Sequence, residues 1–434
     1  MAIYGIDLGT TNSLLGLGDK LLTGLVPSIV DIKSGKVGKD LLHDPNSVRS
    51  FKVDISSGIE GGESVLASSK VLMQLKKEAD LKGKIKAVVT VPADFDDNQR
   101  RATIKAAELA QIEVVTLINE PTAAALYITK ASKEVVVVFD LGGGTFDVSV
   151  IDGRFGNYDV QYSAGDPKCG GDNLDSNIVK VLCREGKISP FRLNPQQQLD
   201  LRILATNIKI RMQKERKDIV VDLTPYGGSM YTFKEAMYVQ LMQVTFMKCI
   251  TLMHRALAST TQAGEKFSMV LVGGSTRCPY LKEWIAKEIG QDPVECTYDP
   301  DKAVAYGAAL YAQMYENNEV DYMVSDVTKA ISIGMADGTA QIVIPPNSKI
   351  PIEDEIMLWN PVEAEVLSVE VYQGDSGIAS KNSHIGTLRY EYGETMKPRM
   401  GTVLTTVRVQ TSGVVKITCQ QHCKPVVEKE LIIT

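Results

Sequence analysis

Phe139-Asp140-Leu141-Gly142-Gly143-Gly144-Thr145-Phe146-Asp147 decides the fold, because it repeats the pattern that opens the chain, Ile6-Asp7-Leu8-Gly9-Thr10-Thr11-Asn12-Ser13. Each copy follows an apolar run that reads as a buried strand, Ala2 to Ile6 and Val135 to Phe139. Each then continues Asp-Leu-Gly into small residues. One such motif could be a hairpin turn, where Asp and Gly are common. Two of them, each after an apolar strand, point to two similar half-domains that face each other across a nucleotide-holding cleft.

The residue types suit a polyphosphate. Glycines let backbone N–H groups come close without a Cβ in the way, and a tight turn presents successive amides as an anion nest. Thr10, Thr11 and Thr145 add hydroxyl donors. Asp7 and Asp140 make sense beside phosphate when a cation sits between, and their hard oxygens suit Mg²⁺. A third element is the strand candidate Phe267 to Val272 followed by Gly273-Gly274-Ser275-Thr276-Arg277. A helix should follow, with Pro279 in its first turn and Leu281, Ile285 and Ile289 on one face. A Gly-Gly turn there suits a flat adenosine lying against backbone.

Composition bounds the alternatives. The chain has 434 residues, enough for several domain-sized units and a large core. Apolar content of 44% and charged content of 23% are ordinary for a globular protein. A net charge of −6 gives no global support to a nucleic-acid-binding surface. No apolar stretch reads as a membrane span and no signal peptide is expected, so the predicted address is cytoplasmic. Seven scattered cysteines read as reduced thiols. Cys419-Gln420-Gln421-His422-Cys423 is the one metal-like cluster, without a second cluster to complete a tetrahedral site, and reads as a polar loop between strands. His43, His254 and His384 have no triad partners, which argues against a nucleophilic hydrolase.

With these motifs in view, the chain resembles the 70-kilodalton heat-shock chaperones of the DnaK type, within the actin and sugar-kinase superfamily. Val89-Thr90-Val91-Pro92-Ala93-Asp94-Phe95, Gln99-Arg100-Arg101-Ala102-Thr103 and Ile118-Asn119-Glu120-Pro121-Thr122-Ala123-Ala124-Ala125 carry the resemblance further. So do Gly170-Gly171-Asp172-Asn173-Leu174-Asp175 and Asp299-Pro300-Asp301-Lys302-Ala303-Val304-Ala305-Tyr306-Gly307-Ala308-Ala309. The resemblance implies an α/β fold: a two-lobed actin-like ATPase of ribonuclease H-like halves, then a β-sandwich. It implies ATP or ADP, Mg²⁺ and K⁺ as cofactors. Lys52 falls where the family keeps a lysine against the γ-phosphate and attacking water, and Glu120 where a carboxylate stands near that water. Asp7 and Asp140 correspond to the aspartates that hold Mg²⁺ through waters. Asp147 and Thr145 correspond to residues near the water and γ-phosphate, Asp147 also to a potassium site. Gly9, Thr10, Thr11, Asn12, Gly142, Gly143 and Gly144 correspond to the phosphate loops. Gly273, Gly274, Ser275 and Arg277 correspond to the adenosine loop, and Lys209 to a residue of the adenosine helix. Pro92 and Arg100 correspond to a relay that reports nucleotide state to the next domain.

The expected division is 1–317 for the ATPase, 318–327 for a linker and 328–434 for the sandwich. Peripheral subdomains are expected at Leu21 to Ala87 and Asn173 to about Gly264, with helices Ser68 to Lys82 and Leu199 to Lys214. Beyond the linker, Leu367-Ser368-Val369-Glu370-Val371, Val407-Arg408-Val409 and Val415-Lys416-Ile417 alternate with period two, with a hairpin turn at Ser412-Gly413 and a final strand from Glu428 to Thr434. By the resemblance this is a peptide-binding domain without the family's helical lid, with Met335, Leu358, Leu367 and Val369 near the groove. For Leu367 and Val369 the period-two pattern reads equally well as sandwich core.

Other departures concern control. Lys52 lies forty residues before Pro92, so the first-lobe periphery is short for the family. Thr206 stands for a glutamate and Gln213 for a serine, and Ile210 is also substituted. The linker Tyr322-Met323-Val324-Ser325-Asp326 is less apolar than the family's leucine run. The leading expectation is a minimal chaperone whose slow ATP hydrolysis modulates binding of unfolded or extended polypeptides, with co-chaperones and exchange factors as partners and neither nucleic acid nor membrane. The alternatives are a nucleotide-stabilised module docking one dedicated protein, and a small-molecule kinase.

Overall fold

The two Asp-Leu-Gly motifs end equivalent strands in two sheets of the same build. A computed structural model describes the chain apart from residues 1, 56–61, 129–133, 155–157, 261–265, 294–298, 318–322, 328, 347, 411–413, 422–425 and 431–434. In the first lobe, β1 (Ile3–Asp7) pairs antiparallel with β2 (Asn12–Leu17) and parallel with β3 (Ile85–Val91), which pairs parallel with β4 (Ile112–Asn119). In the second, β5 (Val135–Leu141) pairs antiparallel with β6 (Phe146–Asp152), and β6 antiparallel with β7 (Tyr158–Asp166). β5 also pairs parallel with β8 (Phe267–Val272). Each phosphate motif is therefore the turn of a hairpin whose first strand lies inside its sheet. β5 and β6 are buried at every position, as the apolar run Val135 to Phe139 requires of a strand covered on both faces.

Helices cover the sheets. α1 (Glu63–Glu78) and α2 (Asp97–Leu109) bury Val65, Val71, Leu72, Leu75, Ala102 and Ala106 against the first sheet. α3 (Glu120–Ile128) begins at the end of β4. α4 (Gly171–Glu185), α5 (Pro195–Glu215), α6 (Glu235–Thr260) and α7 (Pro279–Ile289) build the second lobe around one large core. α8 (Ala303–Glu316) packs on α3, and their alanines join strands of both lobes in one cluster. Gly307 makes that crossing tight: a Cβ there would stand 1.7 Å from the Ala123 carbonyl oxygen.

Helix ends account for two differences from expectation. α1 starts at Glu63 rather than Ser68 and stops at Glu78 rather than Lys82, the stop because the chain reverses at Asp80, whose φ is 50°. α5 starts at Pro195 rather than Leu199. Asn194 caps it by accepting from Gln197 N, Gln197 bonds back to Asn194 N, and Pro195 occupies the first turn. α6 corrects a further reading: its Glu235–Ala258 stretch is long and apolar enough to cross a membrane by length and composition. Tyr238, Met242, Phe246, Cys249, Ile250 and Met253 pack in the second-lobe core, while Val244 and Met247 on the same helix are exposed.

The C-terminal part is a sandwich of two four-stranded sheets. One contains β9 (Ile331–Gly334), β10 (Ala340–Ile344), β12 (Ala364–Gln373) and β13 (Ser383–Met396); the other contains β11 (Ile352–Trp359), β14 (Thr402–Val409), β15 (Val415–Gln420) and β16 (Val427–Glu430). Leu367, Val369 and Val371 point inward at alternate positions and meet Val403, Val407 and Ile417 from the other sheet. Ser412-Gly413 lies outside the described residues, between the paired strands β14 and β15. Also outside them are residues 56–61, His422 and Cys423, the end of the expected final strand, and residues 318–322 of the expected linker. The strand Met323–Val327 adds to the second lobe's sheet, parallel to β7, and pairs antiparallel with Ser348–Ile350.

The sandwich rests on the first lobe at the start of α2. Asp97 N donates to Gln373 Oε1 at 2.8 Å, and Val415 N donates to Asp97 Oδ1 at 2.9 Å. Arg101 Nη2 donates to the Val415 carbonyl at 2.6 Å while its Nε bonds Asp97 Oδ2, so one side-chain pair satisfies both backbone groups of Val415. Asn98 Nδ2 bonds the His384 carbonyl, and Lys329 pairs with Asp94 at 2.8 Å. Burial pushes the Asp97 and Asp94 carboxyls up, against the pull of Arg101 and Lys329.

Candidate nucleotide site

The hairpin turns and the β8–α7 turn open onto a cavity of about 900 Å³ between the lobes. Gly9, Thr10, Thr11 and Asn12 line one side; Gly142, Gly143 and Thr145 line the other. The two loops touch: a Cβ on Gly143 would stand 2.1 Å from Thr11 Oγ1. Backbone bonds fix the second loop: Gly142 N donates to the Thr145 carbonyl at 3.1 Å and closes the turn, and Asp172 N donates to the Gly143 carbonyl at 2.8 Å. Ser275 Oγ bonds the Gly142 carbonyl at 2.8 Å, which joins the β8–α7 turn to the β5–β6 turn.

Strand ends and the α3 start bring buried acids together behind these loops. Asp7 ends β1, Asp140 lies near the end of β5, Asp147 near the start of β6, and Glu120 begins α3. All four are buried, as is Lys52, which is 1% exposed and pairs with Glu120 Oε1. Lys52 also stands 5.8 Å from the Phe95 ring centroid. Asp7 Oδ1 accepts from Thr90 Oγ1 at 3.1 Å. Burial, then Glu120, pushes the Asp7 carboxyl up to about 7. The same two causes, in the same order, push Asp140 and Asp147 well above the usual carboxylate range. Buried carboxylates in excess of one lysine favour a cation. Among the described residues no three acid, imidazole or thiol groups converge closely enough to ligate a metal directly.

Asp147 also ties the lobes at the cleft floor. Its Oδ1 accepts from Ala93 N at 2.8 Å and Asp94 N at 3.4 Å, both in the first lobe. Its Oδ2 is buried without a hydrogen-bond partner. Pro92 precedes this contact. Arg100 is buried on α2, with Nη2 on Asn119 Oδ1 at 2.8 Å and Nε on the Phe95 carbonyl at 3.2 Å. Arg100 thus joins the end of β4, next to Glu120, to the segment that carries the sandwich.

At the end of the cavity lined by Lys209, Gln213 and Arg277 the side chains hold each other. Lys209 Nζ bonds Asp175 Oδ2 at 2.9 Å and Thr206 Oγ1 bonds the same oxygen at 2.8 Å. Arg277 bonds Asp301 at 2.8 Å and pairs with Asp299. Gln213 Nε2 donates to the Tyr238 hydroxyl at 3.0 Å, and Ile210 lines the cavity half-exposed. Gly273 adopts φ 83° as its strand turns into the loop, and Gly274 lines the cavity beside it. Gly144 lies within the loop without lining the cavity. Sequence reasoning assigned no role to Asp175, Asp301 or Asp172, although each stood inside a quoted motif. It also missed Leu42, His43, Arg49 and Arg202, which line the cavity and have no local signal. Met335, Leu358, Leu367 and Val369 lie elsewhere: the last three are buried in the sandwich core and Met335 packs against it.

Paired half-domains with facing phosphate loops, an acid cluster at the floor and an appended sandwich define a two-lobed nucleotide-binding fold of the actin-like ATPase class. The profile described as "Hsp70 protein" matches residues 44–434. Proteins named "Chaperone protein HscA homolog" from Haemophilus influenzae strains PittEE, 86-028NP and PittGG are each 31% identical over 474 aligned positions, covering 96% of this chain and 75% of the relative. The chain belongs to the Hsp70 family, whose members are ATP-dependent chaperones that bind ATP and ADP with Mg²⁺.

Proposed function

We propose that the cleft binds Mg-ATP, hydrolyses it slowly by directing water with Lys52, Glu120 and Asp147, and thereby modulates how the sandwich holds extended polypeptide segments. The observation that carries this reading is the buried pairing of Lys52 with Glu120 beside Asp7 and Asp140. Phosphoryl transfer rests on positioning and charge stabilisation. Lys52 would neutralise γ-phosphate oxygens, Glu120 and Asp147 would orient the water, and Thr145 would donate to phosphate. Asp7 and Asp140 would hold hydrated Mg²⁺, which supplies charge neutralisation when bound. The unpartnered Asp147 Oδ2 fits a second cation, for which K⁺ is the proposal.

The proposed division is an ATPase over 1–317, a linker over 318–327 and a peptide-binding sandwich over 328–434, in a cytoplasmic chaperone. Coupling would pass from the acid cluster through Pro92 and Arg100 to the contacts of Asp97 and Arg101 with Val415. Two states that differ at those contacts suffice to link the sites. A second reading, in which nucleotide only stabilises a shape that docks one dedicated protein, draws support from the burial of Leu358, Leu367 and Val369. Affinity for a fluorescent extended peptide, measured in ATP and in ADP, separates the two. The chaperone reading expects weaker binding and faster release in ATP; identical affinities would sink it in favour of the second.

A further inference from the structure

Ser50 and Asp172 meet across the cleft mouth, 122 residues apart in the chain, with Ser50 Oγ donating to Asp172 Oδ2. Ser50 immediately precedes the Phe51–Asp54 turn that carries Lys52, and it holds a left-handed conformation, φ 52° and ψ 23°. A serine adopts that region only when its surroundings stabilise it. Its neighbour Arg49 fixes the first-lobe side by bonding the Leu41 and Leu42 carbonyls at 2.8 and 2.6 Å.

The second-lobe side is equally anchored. Asp172 is the second residue of α4, and its backbone N–H bonds the carbonyl of Gly143 in the phosphate loop. Arg202 of α5 stands 3.5 Å from the same carboxylate oxygen that Ser50 uses. The Asp172 carboxylate therefore joins the loop bearing Lys52 to the helix α5, while its backbone N–H holds the Gly143 loop. The floor is tied separately, by Ala93 N on Asp147 and by α8 on α3. A cleft hinged at its floor and linked at its mouth cannot open without breaking the mouth contact.

We propose that Ser50 and Asp172, which both line the cavity, form a latch that sets how long a nucleotide stays in the cleft, acting as positioning residues that hold the lobes together. The inference rests on the nucleotide reading above and assigns its release step. A hydrogen bond to a carboxylate is stronger than one between neutral groups. Its loss at a partly exposed site should speed release about five- to tenfold.

The test uses the full chain with Mg²⁺ and MANT-labelled ADP, displaced by excess ADP in a stopped flow. Ser50→Ala and Asp172→Ala should each raise the dissociation rate about five- to tenfold and leave the association rate within about twofold. The double variant should be no faster than the quicker single one. Ser50→Gly relieves the left-handed backbone yet removes the hydroxyl, so it should release as fast as Ser50→Ala. An unchanged dissociation rate in Ser50→Ala, additive effects in the double variant, or normal release in Ser50→Gly would each overturn the latch. Hydrogen exchange on nucleotide-free protein gives an independent arm: Ser50→Ala should quicken exchange in 48–55 and at the 171–173 amides, and unchanged exchange there also overturns it. If the unmodified chain takes up no MANT-ADP, the nucleotide reading fails, and the exchange arm alone decides the cross-lobe link.

Discussion

The proposed phosphate end and the proposed adenosine end of the cleft are built on opposite principles. At the phosphate end Asp7, Asp140, Asp147 and Glu120 are buried around a single lysine, and three of the carboxyls are pushed up. At the adenosine end Lys209, Arg277 and Gln213 are already engaged by Asp175, Asp301 and Tyr238. The first end concentrates buried carboxyls against one cation, whereas the cations of the second end already have carboxylate partners. Binding energy and dependence on Mg²⁺ should therefore concentrate at the phosphate end, and the base should contribute through shape.

Several substitutions would break or sharpen this contrast. Asp140→Asn removes a buried, repelled charge. It should lower Mg-nucleotide affinity about 10- to 100-fold in a calorimetric titration, while stabilising the empty chain by about 1–3 kcal/mol against denaturant. An empty chain no more stable than the parent would mean the acid cluster is not strained. The pH response tests the same end. Asp7 rises from 3.8 to about 7 on folding, so the folded chain holds protons that the unfolded chain has lost between those values. The empty protein should lose stability as pH climbs from about 4 to about 7, and protection by Mg-ADP should grow over that interval; a melting temperature flat across it contradicts the shift. The smallest effect belongs to the other end: Gln213→Ala should change ADP affinity less than about threefold, since the amide serves Tyr238. A larger loss would place base recognition there.

The same contrast explains what could be read from the sequence. The phosphate loops were legible because strand, turn and small residue lie within eight or nine positions, and glycine's lack of a Cβ has one chemical meaning beside phosphate. The two-lobed fold followed from the duplication. Lys52 and Glu120, 68 residues apart, carried no local signal and entered only through the resemblance. Ser50 with Asp172, and Asp97 with Val415, are tertiary meetings of ordinary residues that no spacing encodes. The α5 start was readable but missed: Asn194-Pro195 followed by Gln197 is a capping box with proline in the first turn. Period-two alternation found the sandwich strands, but it cannot tell a core position from a groove position, so Leu367 and Val369 waited for the second sheet to be placed.

Single-turnover hydrolysis of Mg-ATP by the full chain and by Lys52→Ala tests the central claim most directly. The account predicts slow turnover that is clearly above buffer, and a rate at least about 100-fold lower in Lys52→Ala while that variant still binds ADP. No turnover by the unmodified chain, or equal rates in the two proteins, would contradict it.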